Sequence, residues 1–109
     1  MTADIVAQAL THLRTELLLR EEDLGDVLAI AAASLGGSLD DIRLALAAGD
    51  ARKIAFAAHT LKGNLRNLGL NQASEQARDI ELAARDEGRT DLGPQAARLT
   101  ELLAPLLAG

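Results

Sequence analysis

Ile54-Ala55-Phe56-Ala57-Ala58-His59-Thr60-Leu61-Lys62-Gly63-Asn64-Leu65-Arg66-Asn67-Leu68 is the stretch that decides the fold. Ile54, Ala58, Leu61, Leu65 and Leu68 recur at alternating steps of four and three residues, which is one apolar stripe on an α-helix. Asp50 stands where an N-cap is needed and Gly49 can end a preceding helix in the left-handed conformation. The spacing predicts a helix over 51–68.

The same pattern continues on both sides. Ala73, Ala77, Ile80 and Ala84 form a second stripe, and Leu92, Ala96, Leu99, Leu103 and Leu106 a third. Gly69 and Asn71 repeat the stop-and-start pair of Gly49 and Asp50. Gly88 ends the next helix, and Pro94 suits the first turn of the last one. Loops this short make sequence neighbours antiparallel. Upstream, Leu28, Ala32, Leu35, Leu39, Ile42 and Leu46 keep one phase through Gly36-Gly37. This predicts one long helix over about 22–48 with room for a kink at the glycine pair. The alternative is two helices with Ser38 capping the second. Val6, Leu10, Leu13 and Leu17 give a separate N-terminal helix within 1–20. The expected architecture is all-α: an antiparallel, up-and-down four-helix bundle over 22–109 with an additional N-terminal helix, and 1–109 as one domain.

Composition agrees. The 109 residues are 49% hydrophobic, nearly all Leu and Ala, with one Phe and no Tyr or Trp. Leu and Ala are strong helix formers, whereas strands favour β-branched and aromatic residues. The absence of cysteine excludes disulfides and thiolate metal sites. No apolar run is long enough to span a membrane, and no basic-then-apolar leader is visible. A cytoplasmic location is the expectation. A net charge of −5 argues against generic nucleic-acid binding. The initial Met and the capped last helix are those expected of a freestanding protein.

On a wheel of about 100° per residue, His59 points roughly 140° away from the centre of its stripe, toward solvent or the bundle edge. Lys62 and Gly63 are its neighbours one turn on. Glycine in a helix interior costs about 1 kcal/mol relative to alanine, and this helix accepts it beside an exposed histidine. A free imidazole titrates near pH 6.5, so a neutral nucleophile is available near neutrality. Lys62 can supply positive charge to phosphoryl oxygens, and Gly63 leaves room for the group and for a partner. The competing readings are a surface histidine without a role, a solvated lysine and a packing glycine. Helix 71–87 should return antiparallel, which brings residues near Ile80 level with His59. A Glu81 carboxylate there can accept a hydrogen bond from the inner ring nitrogen and leave the outer one as nucleophile. A solvated Glu81 paired with Arg78 or Arg85 is the equal alternative.

The run from His59 through Lys62-Gly63 to Gly69 resembles the signature of histidine-containing phosphotransfer (HPt) domains, and the helical pattern fits that family from about Leu24 onward. The resemblance implies a phosphorelay intermediate of two-component signal transduction. It would accept a phosphoryl group on His59 and pass it to or from an aspartate of a response-regulator receiver domain, with a sensor or hybrid histidine kinase upstream. Family members carry Glu or Gln at the spacing of Glu81. The Mg²⁺ for transfer belongs to the receiver, so no cofactor or metal is expected here, and without a glycine-rich phosphate loop no ATP chemistry either. Ala55, Phe56, Gly63 and Arg66 are candidates for partner docking. For Phe56 the leading expectation is packing under the N-terminal helix, with docking as the alternative. Arg52 and Arg66 flank the same face; His12 has no partner motif. A monomer is expected. The alternative function is an HPt-like helical adaptor that binds receivers or kinases without carrying phosphate.

Overall fold

The structure, a computed structural model, describes residues 5–107. It contains five helices among those residues: α1 (Ile5–Thr15), α2 (Glu21–Ala48), α3 (Ala51–Asn67), α4 (Asn71–Glu87) and α5 (Gly93–Leu107). Each of α2 to α5 packs against its two neighbours in a closed ring, with α3 against α4 the most extensive pairing, and α1 leans on α2 and α5. This is the four-helix bundle with its extra N-terminal helix.

The stripes close the core. Ile54, Ala58, Leu61 and Leu65 of α3, Ala77 of α4, Leu99 and Leu103 of α5 and Leu35 and Ile42 of α2 are fully buried. Three bends use a left-handed glycine: Gly49 (φ 63°), Gly69 (φ 72°) and Gly88 (φ 64°). After α2, the amide of Asp50 donates to the Ala45 carbonyl at 3.2 Å, the closing bond of a Schellman turn. The Asp50 carboxylate then accepts from the Lys53 amide at 3.2 Å and caps α3.

Helix α2 is continuous through Gly36-Gly37. Leu35, Leu39 and Ile42 form a buried line across the glycine pair, and Ser38 lies buried within the helix rather than capping a new one. Pro94 sits in the first turn of α5.

Two sequence expectations need correction. Asn71 does not cap α4: it is the first helical residue, and Leu70 holds the cap position without a side-chain bond. The Leu70 amide closes the turn on the Leu65 carbonyl at 3.0 Å, and its side chain is 1% exposed. An apolar anchor occupies the place where a polar cap would stand. The N-terminal helix also shows a different face. Ile5, Ala9 and Leu13 are buried, Val6 and Leu10 are half-buried, and Leu17 lies beyond the helix end and is exposed. Helix α1 stops at Thr15, so Leu17 cannot join its stripe, and the small Ala9 faces inward instead. Of the segment 1–20 assigned to this helix, residues 1–4 lie outside the described residues.

Candidate functional site

Two helices and the tight turn between them position the site. His59, Lys62 and Gly63 lie on one outward face of α3, and Glu81 comes from the facing part of α4. The ring of His59 is 63% exposed, whereas the Glu81 side chain is 5% exposed. Nδ1 of His59 lies 2.8 Å from Oε2 of Glu81. Lys62 Nζ donates to the other oxygen, Oε1, also at 2.8 Å, and its side chain is only 16% exposed. Arg85, one turn after Glu81 on α4, brings Nη1 to 3.6 Å from Oε2 and pairs through Nε with Asp86 at 3.0 Å.

The charges of this cluster follow from its geometry. Burial pushes the Glu81 carboxyl up, but the hydrogen bonds from Lys62 and His59 outweigh it and hold the group below its usual value of 4.5. Glu81 is therefore an anion at neutral pH, and a carboxylate only accepts. The proton of the hydrogen bond sits on Nδ1, and Nε2 of a neutral ring carries the lone pair. The exposed side of the imidazole is its nucleophilic side.

Gly63, one turn after His59, adds no side chain to this face of α3. A Cβ built there would meet nothing within 4 Å. Its backbone is braced from below, since the buried Ser74 hydroxyl of α4 donates to the Lys62 carbonyl at 3.2 Å. Beside His59 is a shallow depression of about 380 Å³ lined by Arg52, Ala55, Phe56, Glu81, Ala84 and Arg85. A wider groove of about 680 Å³ runs between α2 and α3, with Leu44, Lys53, Phe56 and Thr60 on its walls. Arg52, His59 and Arg66 recur every seven residues along the exposed face of α3, and both arginines are exposed.

Phe56 corrects its leading expectation. It is 75% exposed and stands between the depression and the groove. Helix α1 packs against α2 and α5 and does not reach α3, so among the described residues it does not cover this ring. Ala55 is nearly buried at the edge of the depression. His12 is far from the site in the fold and rests against the α3–α4 turn, where a Cβ on Gly69 would come within 2.5 Å of its ring.

Sequence reading missed two contributors. Leu44 is a large exposed apolar residue on the groove, and only the pairing of α2 with α3 reveals it beside Phe56. Ser74 reads as an ordinary helical serine until α4 is docked. Glu81 is not the solvated carboxylate of the alternative reading: it is buried and bonds His59 and Lys62, and only the approach of Arg85 to the same carboxylate remains of that reading.

Among the described residues, no group of three or more His, Asp or Glu side chains could hold a metal ion, and no helix is long and apolar enough to cross a membrane. In comparisons with known proteins, the family model for the Hpt domain matches residues 26–109. No curated protein and no solved structure matches the chain.

Proposed function

The chain belongs to the Hpt domain family, whose members serve phosphotransfer in two-component signalling, and from that premise we propose that it is a phosphorelay intermediate with His59 as phosphoacceptor. The observation that carries this reading is the hydrogen bond of His59 Nδ1 to the buried, anionic Glu81. It leaves Nε2 on the exposed side of the ring, and in the neutral form of the ring that nitrogen carries the lone pair.

Nε2 attacks the phosphorus of an aspartyl phosphate on a receiver domain. The N–P bond forms as the P–O bond to the aspartate breaks, and the carboxylate departs with the electron pair. The imidazole becomes a cation with its remaining proton on Nδ1, against Glu81. The carboxylate offsets the developing ring charge and in the reverse direction leaves a neutral ring. Transfer of this kind rests on positioning and charge stabilisation. Lys62 acts through Glu81: it occupies Oε1 and keeps the carboxyl ionised. Arg52 and Arg85 line the depression beside the ring and are cations that phosphoryl oxygens can reach.

The partner docks over the same face. Phe56 and Leu44 offer apolar area, Gly63 and Ala55 allow close approach, and Arg52 and Arg66 face an acidic receiver surface. A phosphorylated kinase or hybrid kinase supplies the phosphoryl group upstream, and the acting form is the monomer in the cytoplasm.

The test is incubation with a phosphorylated receiver domain, followed by assay of acid-labile phosphate on this chain. Wild type gains it, and His59→Ala gains none while its helical circular dichroism is unchanged. A chain that binds receivers yet never carries phosphate is an adaptor, and the proposal fails.

A further inference from the structure

We propose that Glu16–Arg20 is a hinge from which α1 swings out to continue α2 as one helix, so that two copies of this chain exchange their α1 helices and form a dimer. The inference concerns the end of the fold away from His59 and does not depend on the chemistry there.

The first observation is backbone strain. Three of the bends between helices place a glycine in the left-handed conformation, but the bend between α1 and α2 places Leu18 there (φ 55°). Leu18 is the one non-glycine residue with positive φ among the described residues. A side chain disfavours this conformation, because Cβ crowds the following carbonyl. The bend shares one backbone bond with the one at Gly88: the Leu19 amide reaches the Leu13 carbonyl at 3.1 Å, as the Arg89 amide reaches Ala83 at 3.1 Å.

The second is composition. The linker reads Glu16-Leu17-Leu18-Leu19-Arg20, five strong helix formers without a glycine, proline, asparagine, aspartate or serine. Its local preference is for helix, and the closed fold overrides it. Leu18 is 79% exposed, and Leu17 beside it is exposed as well.

The third is phase. Leu10, Leu17, Leu24 and Ala31 recur every seven residues straight across the bend, and the neighbouring line holds Leu13 and Val27 with Arg20 between them. Such a repeat has one continuous face only if the helix is unbroken. In the closed fold Leu17 is off every stripe. In the open helix it returns to one, at the level where two exchanged helices cross and its counterpart faces it.

The occupant of the exchanged position is fixed by fit. Helix α1 buries Ile5, Ala9 and Leu13 against α2 and α5. Swinging out exposes this face on the helix and its receiving face on the bundle. The one partner that matches both is a second copy, which reforms every contact except the strained bend. Short strained hinges favour exchange of this kind. In the closed form Arg14 holds Glu21 across the bend at 2.7 Å.

The experiment holds the full chain at millimolar concentration just below its thermal transition, cools it, and measures mass by light scattering and shape by solution X-ray scattering. The expected result is a dimer that persists on dilution and exceeds the 43 Å length of the monomer. A helix from Ile5 to Ala48 alone is about 66 Å long. Leu18→Gly relaxes the bend and weakens the open helix, so the dimerisation constant should fall roughly thirty- to a hundredfold for each of the two hinges. Leu17→Glu should also suppress the dimer while leaving the melting temperature of the monomer unchanged, because Leu17 is exposed when closed. A wild type that stays monomeric overturns the proposal. So does a dimer that neither substitution weakens, or one no longer than the monomer.

Discussion

His59 and Glu81 stand in opposite surroundings while sharing one proton: the ring is mostly in water, and the carboxylate 2.8 Å from its Nδ1 is almost wholly out of it. The pair thus fixes the ring from the inside. Water competes for Nε2 but not for the bond that selects the tautomer.

Replacing the acid by its amide tests this directly. Because the folded-state pKa of Glu81 is lowered, its contribution to stability is fully present above the unfolded value near 4.5 and is lost as pH falls through the lowered one. Urea unfolding should therefore show Glu81→Gln less stable than wild type at pH 7, with the difference shrinking below pH 4.5. A gap between the two proteins that is constant across this range would show that the carboxylate charge is irrelevant to folding. Nitrogen NMR of the His59 ring should show the Nδ1–H form giving way to a tautomer mixture in the variant.

Lys62→Ala should slow phosphotransfer by roughly ten- to a hundredfold, the worth of one hydrogen bond to a charged group, without abolishing it. The acid transition of Glu81 should move to higher pH in the same variant, because the first of its two stabilising hydrogen bonds is gone. Slowed transfer with an unmoved acid transition would place Lys62 on the phosphoryl group instead of on Glu81.

Gly63 separates folding from activity. With nothing within 4 Å of a Cβ there, Gly63→Ala should stabilise the protein by about 1 kcal/mol, which raises the melting temperature by about 4 °C for a chain of this size. Gly63→Leu should fold as well as wild type and transfer poorly, because its side chain fills the open side of His59. A thermal melt and a transfer assay on one sample decide the matter; an unfolded Gly63→Leu would assign this glycine to packing.

Gly69 should behave in the opposite way. It combines φ 72° with a Cβ position 2.5 Å from the His12 ring. Gly69→Ala should lower stability by at least about 1 kcal/mol from the backbone alone. His12→Ala in the same chain should restore only part of that loss. Equal melting temperatures for Gly63→Ala and Gly69→Ala would contradict the geometry of the turn.

Most of the bundle was legible because its helices are amphipathic and its bends are glycines. The level of Glu81 with His59 follows from counting along two helices joined by a short turn. What was not legible depends on neighbours that a single helix does not reveal. Phe56 invites burial by its type, yet a hydrophobic side chain is not obliged to be inside, and α1 lies on the other side of the bundle. Asn71 reads as a cap by type, whereas Leu70 takes the position because the turn needs an apolar anchor. Leu17 fits a stripe by phase, but the helix stops at Thr15 before reaching it. Ser74 and Leu44 carry no local signal, since each acquires its contact only when a second helix docks.

Because His59, Lys62, Gly63, Ser74 and Glu81 all belong to the hairpin of α3 and α4, every contact that builds the reactive group is local in the chain. Local contacts close early and at small entropic expense. The hairpin can assemble its chemistry before the chain ends have found their places. Sequence drift in α1 or along the outer surface of α5 then leaves the geometry of the proposed phosphoacceptor untouched, so the hairpin that carries it and the parts that set its surroundings are free to evolve at different rates.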